Sequence, residues 1–330
     1  MSVLEPQARL AVRSVEDLVG LVPYLIGFHP EESLVVVVLQ GGRVVVTARV
    51  DLAAVAGEAA LDSLLGRLFG RFPDAEGWFL AYTDDDRLAW DVLASCVELV
   101  GLVRLGRLLQ VGSSTWRADC PDGPGGTITG AVGAAAAEAA VLGLPARGSR
   151  RDLAAGLAGP PGTDLEALSG EAAERSAELQ ALGVRGRRRL LRRLLAAEEP
   201  PSVSDGVRLA LLAVRPECQL DALRDLGQET ADRQLRAWSG AVRRSLGAQR
   251  PSVLGLLGMA AWQTGDGALQ VVCLEQIDLV DPAVPLAAVL DWLNAEVVPP
   301  SAWPELRGAV LGALTDLFRA ADPPASRRRR

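Results

Sequence analysis

The chain contains no lysine: every one of its 34 Lys and Arg positions, in 330 residues, is arginine. That excludes Schiff-base lysine chemistry and a phosphate-loop lysine of the GxxxxGK[ST] kind. There is one histidine, His29, so multi-histidine zinc sites and HExxH motifs are excluded too. The four cysteines, Cys96, Cys120, Cys218 and Cys273, lie far apart and form no CxxC pair. They read as three buried small hydrophobes and one loop thiol rather than as a metal site. No G-x-S-x-G elbow is present, and the serines have no partner histidine other than His29, which argues against serine-hydrolase chemistry. A basic excess is also missing. The net charge is −7 and the pI about 5.0, the wrong field for a general nucleic-acid binder. The longest uncharged runs end at Glu138 and Asp266 and are too short to span a bilayer. Met1–Arg13 carries Glu5, Arg9 and Arg13 and lacks the apolar core of a secretory leader. The expected location is the cytoplasm, with no membrane partner and with thiols reduced.

What is present is ample apolar content, 49%, over a length that favours two domains. The pattern predicts an α/β protein: an N-terminal mixed sheet, built as hairpin, helix, strand, helix and hairpin, followed by an all-α domain of helical hairpins. Ser14, with Asp17 three residues on, reads as a helix start that fades near Pro23 and stops at Gly27. Residues 34–39 are all apolar, as in a strand buried on both faces. Gly41-Gly42 joins them to an alternating strand, 43–50, a strong hairpin signal. A helix over 58–72, a strand over 77–83, a helix over 87–100 and a second hairpin turning at Gly112-Ser113 follow. Residues 121–126 read as loop and 131–142 as an alanine-rich helix. The Gly159-Pro160-Pro161-Gly162 break separates domains at 1–158 and 163–322, the first helix of the second running over 164–197. Residues 323–330, ending in four arginines, read as a disordered basic tail.

Strand direction locates a candidate site. A hairpin makes the first two strands antiparallel. A helical crossover from the second to an adjacent third strand makes those two parallel. The first strand then begins where the second and third end, so that His29, Glu31, Glu32, Asp51, Asp84, Asp85 and Asp86 line one rim. The next crossover brings Gly112-Ser113-Ser114 to the same rim, the edge at which open α/β sheets bind ligands. Carboxylates with one imidazole suit a divalent cation, magnesium, calcium or manganese, better than zinc. His29 beside a carboxylate could instead serve as a base near neutral pH. The competing structural account makes Asp84–Asp86 a helix cap, Glu31 and Glu32 solvated, and His29 a turn residue before Pro30.

A second candidate is the helix carrying Arg185, Arg189, Arg192 and Arg193, with Leu190, Leu191, Leu194 and Leu195 opposite: either an anion-binding face, or a solvated face balanced by Glu198 and Glu199. Gly123–Gly130 lacks GxGxxG spacing and reads as a flexible loop. Residues 261–282, with a Gly265-Asp266 turn and a closing Asp281-Pro282, resemble one tetratricopeptide-type hairpin or an ordinary antiparallel helix pair, either of which offers a surface on which a protein partner can dock.

Val22-Pro23-Tyr24-Leu25-Ile26-Gly27-Phe28-His29-Pro30-Glu31-Glu32-Ser33-Leu34-Val35-Val36-Val37 resembles the signature of a large actinobacterial family of uncharacterised proteins, a domain of unknown function. Tyr82-Thr83-Asp84-Asp85, Trp116 with Cys120, Ser149-Arg150, Ala261-Trp262 and Pro299-Pro300-Ser301-Ala302-Trp303 extend the likeness along the chain. The resemblance implies a cytoplasmic protein and supplies no catalytic residues. Members of that family often carry several cysteines in the loop after the tryptophan; here only Cys120 remains. The expected role is therefore a binding or scaffold protein, with a small ligand or cation at the acidic rim and a partner on the helical domain. The alternative is a metal-dependent hydrolase or phosphotransferase using His29 and Asp84–Asp86.

Overall fold

A computed structural model of the chain describes residues 12, 14–55, 57–128, 134–141 and 148–321. The chain divides into two units, Met1–Asp152 and Leu153–Arg330. This boundary precedes the Gly-Pro-Pro-Gly break because the chain after Asp152 already belongs to the helical unit: the Leu157 carbonyl accepts from the Arg250 guanidinium.

The first unit opens with α1 (Val15–Ile26), whose first turn is capped by the Ser14 hydroxyl accepting from Asp17 N at 3.1 Å. The helix runs through Pro23 and ends at Gly27, in the left-handed region that glycine enters without penalty. Strand β1 (Ser33–Gln40) and edge strand β2 (Arg43–Asp51) form the expected hairpin. Then come α2 (Leu52–Val55), α3 (Glu58–Arg71), β3 (Glu76–Tyr82) and α4 (Asp86–Val100). Strands β4 (Leu105–Val111), β5 (Thr115–Ala118) and β6 (Gly125–Thr127) and helix α5 (Ala134–Val141) complete the set, and α6 (Arg150–Gly156) carries the chain across the boundary between the units. The sheet order is β2-β1-β3-β4-β5-β6.

Two expectations need correction here. The third strand is not the neighbour of the second: β3 pairs with β1, antiparallel, and the crossover passes over β1. Two antiparallel pairings still leave β2 and β3 pointing the same way, so the rim survives the changed order. The segment read as loop and flexible glycines contains β6, a three-residue edge strand too short and too glycine-rich to carry a strand pattern. A register shift at Val38/Leu39 also breaks the alternation of β2, whose residues 45–50 are half-buried on both faces. β1 is buried on both sides, its valines filling the middle of the sheet.

The second unit is helical. The arginine-rich stretch is not one helix from 164 to 197; it breaks at Leu182-Gly183 into α7 (Leu165–Ala181) and α8 (Val184–Leu195), because Gly183 takes an extended conformation ahead of α8. Next come α9 (Val203–Ala213), α10 (Pro216–Asp225), α11 (Gln228–Val242), α12 (Arg250–Thr264), α13 (Gly267–Asp278), α14 (Pro285–Ala295) and α15 (Trp303–Ala321). Helices α7, α9, α11, α12 and α13 pack in succession, and α8 lies on α9, α10 and α11. The α12–α13 hairpin turns at Gly265, and Asp266 caps α13 by accepting from Leu269 N at 3.0 Å. Residues 323–330, the expected tail, lie outside the described residues.

Candidate functional site

The rim exists, and its carboxylates are divided among separate tasks. Glu32 precedes β1 with a positive φ of 43°, a region unfavourable to side chains other than glycine. Two bonds hold it there. Its carbonyl accepts from Leu52 N at 2.9 Å, and its carboxylate accepts from the Thr83 hydroxyl at 3.0 Å. Thr83 Oγ1 in turn accepts from Asp85 N at 3.1 Å, and its carbonyl accepts from the buried Gln110 amide at 3.1 Å. Asp84 reaches across to Ser113 N at 2.7 Å, so the β4–β5 turn does come to this rim. Asp85 caps α4 through Leu88 N at 3.0 Å, and Asp86 pairs with Arg117 at 3.5 Å. Glu32, Asp84 and Asp85 therefore stitch together the mouths of β1, β3 and β4.

Asp51 takes part in a different cluster, on the opposite face of the sheet, bound to Arg49 at 2.6 Å and to Arg150 at 3.6 Å. Arg49 also donates to Ser33 Oγ at 2.9 Å and lies over the buried Phe28 ring, 5.8 Å from its centroid. His29 and Glu31 are exposed. Among the described residues the His29 ring makes no hydrogen bond or ion pair, and Glu31 contributes its carbonyl, not its carboxylate, to Ser33 and Arg49. As to the expected divalent cation, no three His, Cys, Asp or Glu side chains among the described residues are grouped to hold a metal ion.

Two buried groups of this rim lack partners among the described residues, and both are donors. Ser33 faces both Asp51 and Tyr82 across the strands, and Tyr82 in turn faces Val111, which faces Trp116. Cross-strand partners point to one side of a sheet. Asp51, Ser33, Tyr82, Val111 and Trp116 thus form one row on one face. Among the described residues, the Tyr82 hydroxyl and the Trp116 indole N–H are buried without a hydrogen-bond partner. Burial pushes the Tyr82 phenol far above its ordinary range, so it stays a neutral donor. Carboxylate counting missed this row. The available signals were the strand-end positions of Ser33 and Tyr82 and an arginine, Arg49, set among valines.

On the other face, where β3 and β4 begin, Leu65, Phe69, Leu99 and Arg104 line a cleft of about 350 Å³, with the Arg104 guanidinium 5.7 Å from the Phe69 centroid. Cys96, Cys218 and Cys273 are buried and Cys120 is exposed; burial pushes the Cys96 and Cys218 thiols up to about 12, leaving no thiolate for chemistry.

In the helical unit the arginines of α8 sort into two groups. Arg187 binds Glu217 at 2.7 Å, and Arg188 binds Asp221 through Nε at 2.6 Å. Arg185, Arg189, Arg192 and Arg193 are exposed and form no ion pair among the described residues; Arg192 donates only to its own helix, at the Arg188 carbonyl. The balancing role expected of Glu198 goes elsewhere, to Arg233 and Arg236. Burial alone would raise the Asp221 carboxyl, but the hydrogen bond and charge of Arg188, joined by Arg224, outweigh it and hold the group below its ordinary range. Asp221 therefore contributes stability above the ordinary aspartate pKa of about 3.9, lost as the pH falls through its lower folded value. In thermal unfolding followed from pH 7 into acid, Asp221→Asn should begin about 1–3 kcal/mol less stable than wild type and lose less across the acid limb. Parallel curves would show that Asp221 carries no such linkage.

Together these features define a protein with a mixed six-stranded sheet, a stitched strand-mouth rim and a helical-hairpin unit. A family model described as a domain of unknown function, DUF4192, matches residues 16–301, and the chain belongs to that family. No curated protein and no solved structure matches it.

Proposed function

We propose that this is a binding protein without catalytic activity, holding a small polar ligand at the sheet rim and docking a protein partner on its helical unit. The observation that carries the ligand reading is the pair of buried, unpartnered donors, Tyr82 Oη–H and Trp116 Nε1–H, in the row that also contains Ser33 and Asp51. A buried donor left unpaired costs about 1–3 kcal/mol, which an acceptor on a ligand would offset. Donors with the Arg49 and Arg150 guanidinium groups nearby favour an acid over a cation. The exposed His29, with no carboxylate bonded to it, gives the hydrolase alternative little support.

Thermal-shift titration with acetate, inorganic phosphate and malate, and separately with magnesium, calcium and manganese chlorides, tests this. Tyr82→Phe removes only the unpaired hydroxyl, so the free variant should be as stable as wild type or up to about 2 kcal/mol more stable. At least one acid should raise the wild-type midpoint and raise that of Tyr82→Phe less. A metal-dependent shift abolished by Asp84→Ala/Asp85→Ala would favour the hydrolase instead. No shift with any of the six would remove the rim-ligand reading.

A further inference from the structure

The helical unit has oppositely charged halves in sequence. Residues 185–250 hold fourteen arginines against eight carboxylates; residues 251–321 hold two arginines against eight. In the basic half, Arg185, Arg189, Arg192 and Arg193 are spaced i, i+4, i+7 and i+8, which puts them on one face of α8. Val184, half-exposed, begins the same helix. In the acidic half, α13 runs out in Asp278-Leu279-Val280-Asp281, and Leu279 is 78% exposed. Leu279 and the half-exposed Val280 form an aliphatic pair flanked by two carboxylates. The helix terminus adds negative potential from its last carbonyls. Helix α8 packs on α9, α10 and α11, whereas α13 packs on α12 and α14, so the two surfaces sit at different ends of the stack.

We propose that the arginine stripe of α8 docks on the α13–α14 turn of a second copy of this chain. The charges are complementary, and the aliphatic stems of the stripe's arginines supply an apolar contact for Leu279 and Val280. A membrane is a poor occupant because the leucines opposite the stripe, Leu190, Leu191 and Leu195, are already buried. Nucleic acid is disfavoured by the net charge of −7. Since the two surfaces differ, the contact is head-to-tail, and association is open-ended unless the geometry closes a ring. This deepens the partner half of the proposed function and is independent of the rim.

Sedimentation velocity on the full chain over a range of concentrations tests it. Wild type should form a ladder of species at low salt that retreats towards monomer at high salt. Arg189→Glu/Arg193→Glu and Asp278→Arg/Asp281→Arg should each stay monomeric, with apparent Kd raised at least about tenfold. Mixed together, those two variants should associate again, because each retains one intact surface for the other and the two reversed surfaces are themselves complementary. Monomeric wild type at low salt, or unchanged association in either variant, overturns the proposal. So does a stripe-dependent gel shift of duplex DNA by a monomeric protein, which would assign the stripe to nucleic acid. Both variants should keep the wild-type thermal shift with the rim acids, so loss of self-association and loss of the rim ligand are separable results.

Discussion

Trp303→Ala should destabilise the helical unit by about 3–5 kcal/mol, read from urea unfolding. The side chain is 1% exposed, its indole N–H donates to the Leu226 carbonyl at 2.9 Å, and its ring meets Trp262 edge-on at 5.7 Å. Trp262 in turn donates to the Val298 carbonyl at 3.0 Å. One residue thus ties the start of α15 to the end of α10 and, through its neighbour, to the chain before α15. Trp303→Phe keeps most of the apolar surface but strands the Leu226 carbonyl, and should cost about 1–3 kcal/mol. If the two variants unfold alike, the ring surface that Phe retains contributes nothing and the hydrogen bond carries the whole effect.

Gly255→Ala should destabilise by about 1–3 kcal/mol although the same change at an open helical glycine stabilises. A Cβ at Gly255 would lie 2.6 Å from Leu286 Cβ, an atom that no rotamer change can move, so α14 would have to back away from α12. Gly308, in the interior of α15, has nothing within 4 Å of its added Cβ. There Gly→Ala should gain up to about 1 kcal/mol from helix propensity alone. Thermal midpoints that shift in opposite directions for the two variants would place the α12–α14 contact at the glycine. A stabilised Gly255→Ala would show that the helices are free to separate.

The fold was legible where local chemistry was strong. Ser14, Gly41-Gly42, Gly265 and the valine run all signalled their elements, because caps, tight turns and full burial leave short-range traces. The rim could be placed from strand direction alone, even though the assumed adjacency of β2 and β3 was wrong, since inserting one antiparallel strand between two others preserves their common sense. The chemistry of that rim was not legible. The helix cap of the competing account was legible, and Asp85 supplies it, but counting carboxylates cannot tell that Asp84 bonds a backbone amide across the turn. Nor can one sequence reveal that Tyr82 and Trp116 lack partners, a property of everything around them. The α8 arginines show the same limit: all six share one short stretch, and only the packing of α10 decides which two are neutralised.

The position of β1 bears on how the chain is made. It lies between β2, which follows it within a few residues, and β3, which arrives only with residues 76–82. While the polypeptide emerges from the ribosome, the hairpin can close early, but the second edge of Val35-Val36-Val37-Val38 has no strand to pair with. A charge-free β-branched edge of that kind recruits other chains. Nascent fragments ending before Glu76 should therefore aggregate, and those extended past Val111, so that β4 covers the apolar edge of β3, should not, a difference that pelleting of stalled translation products would reveal.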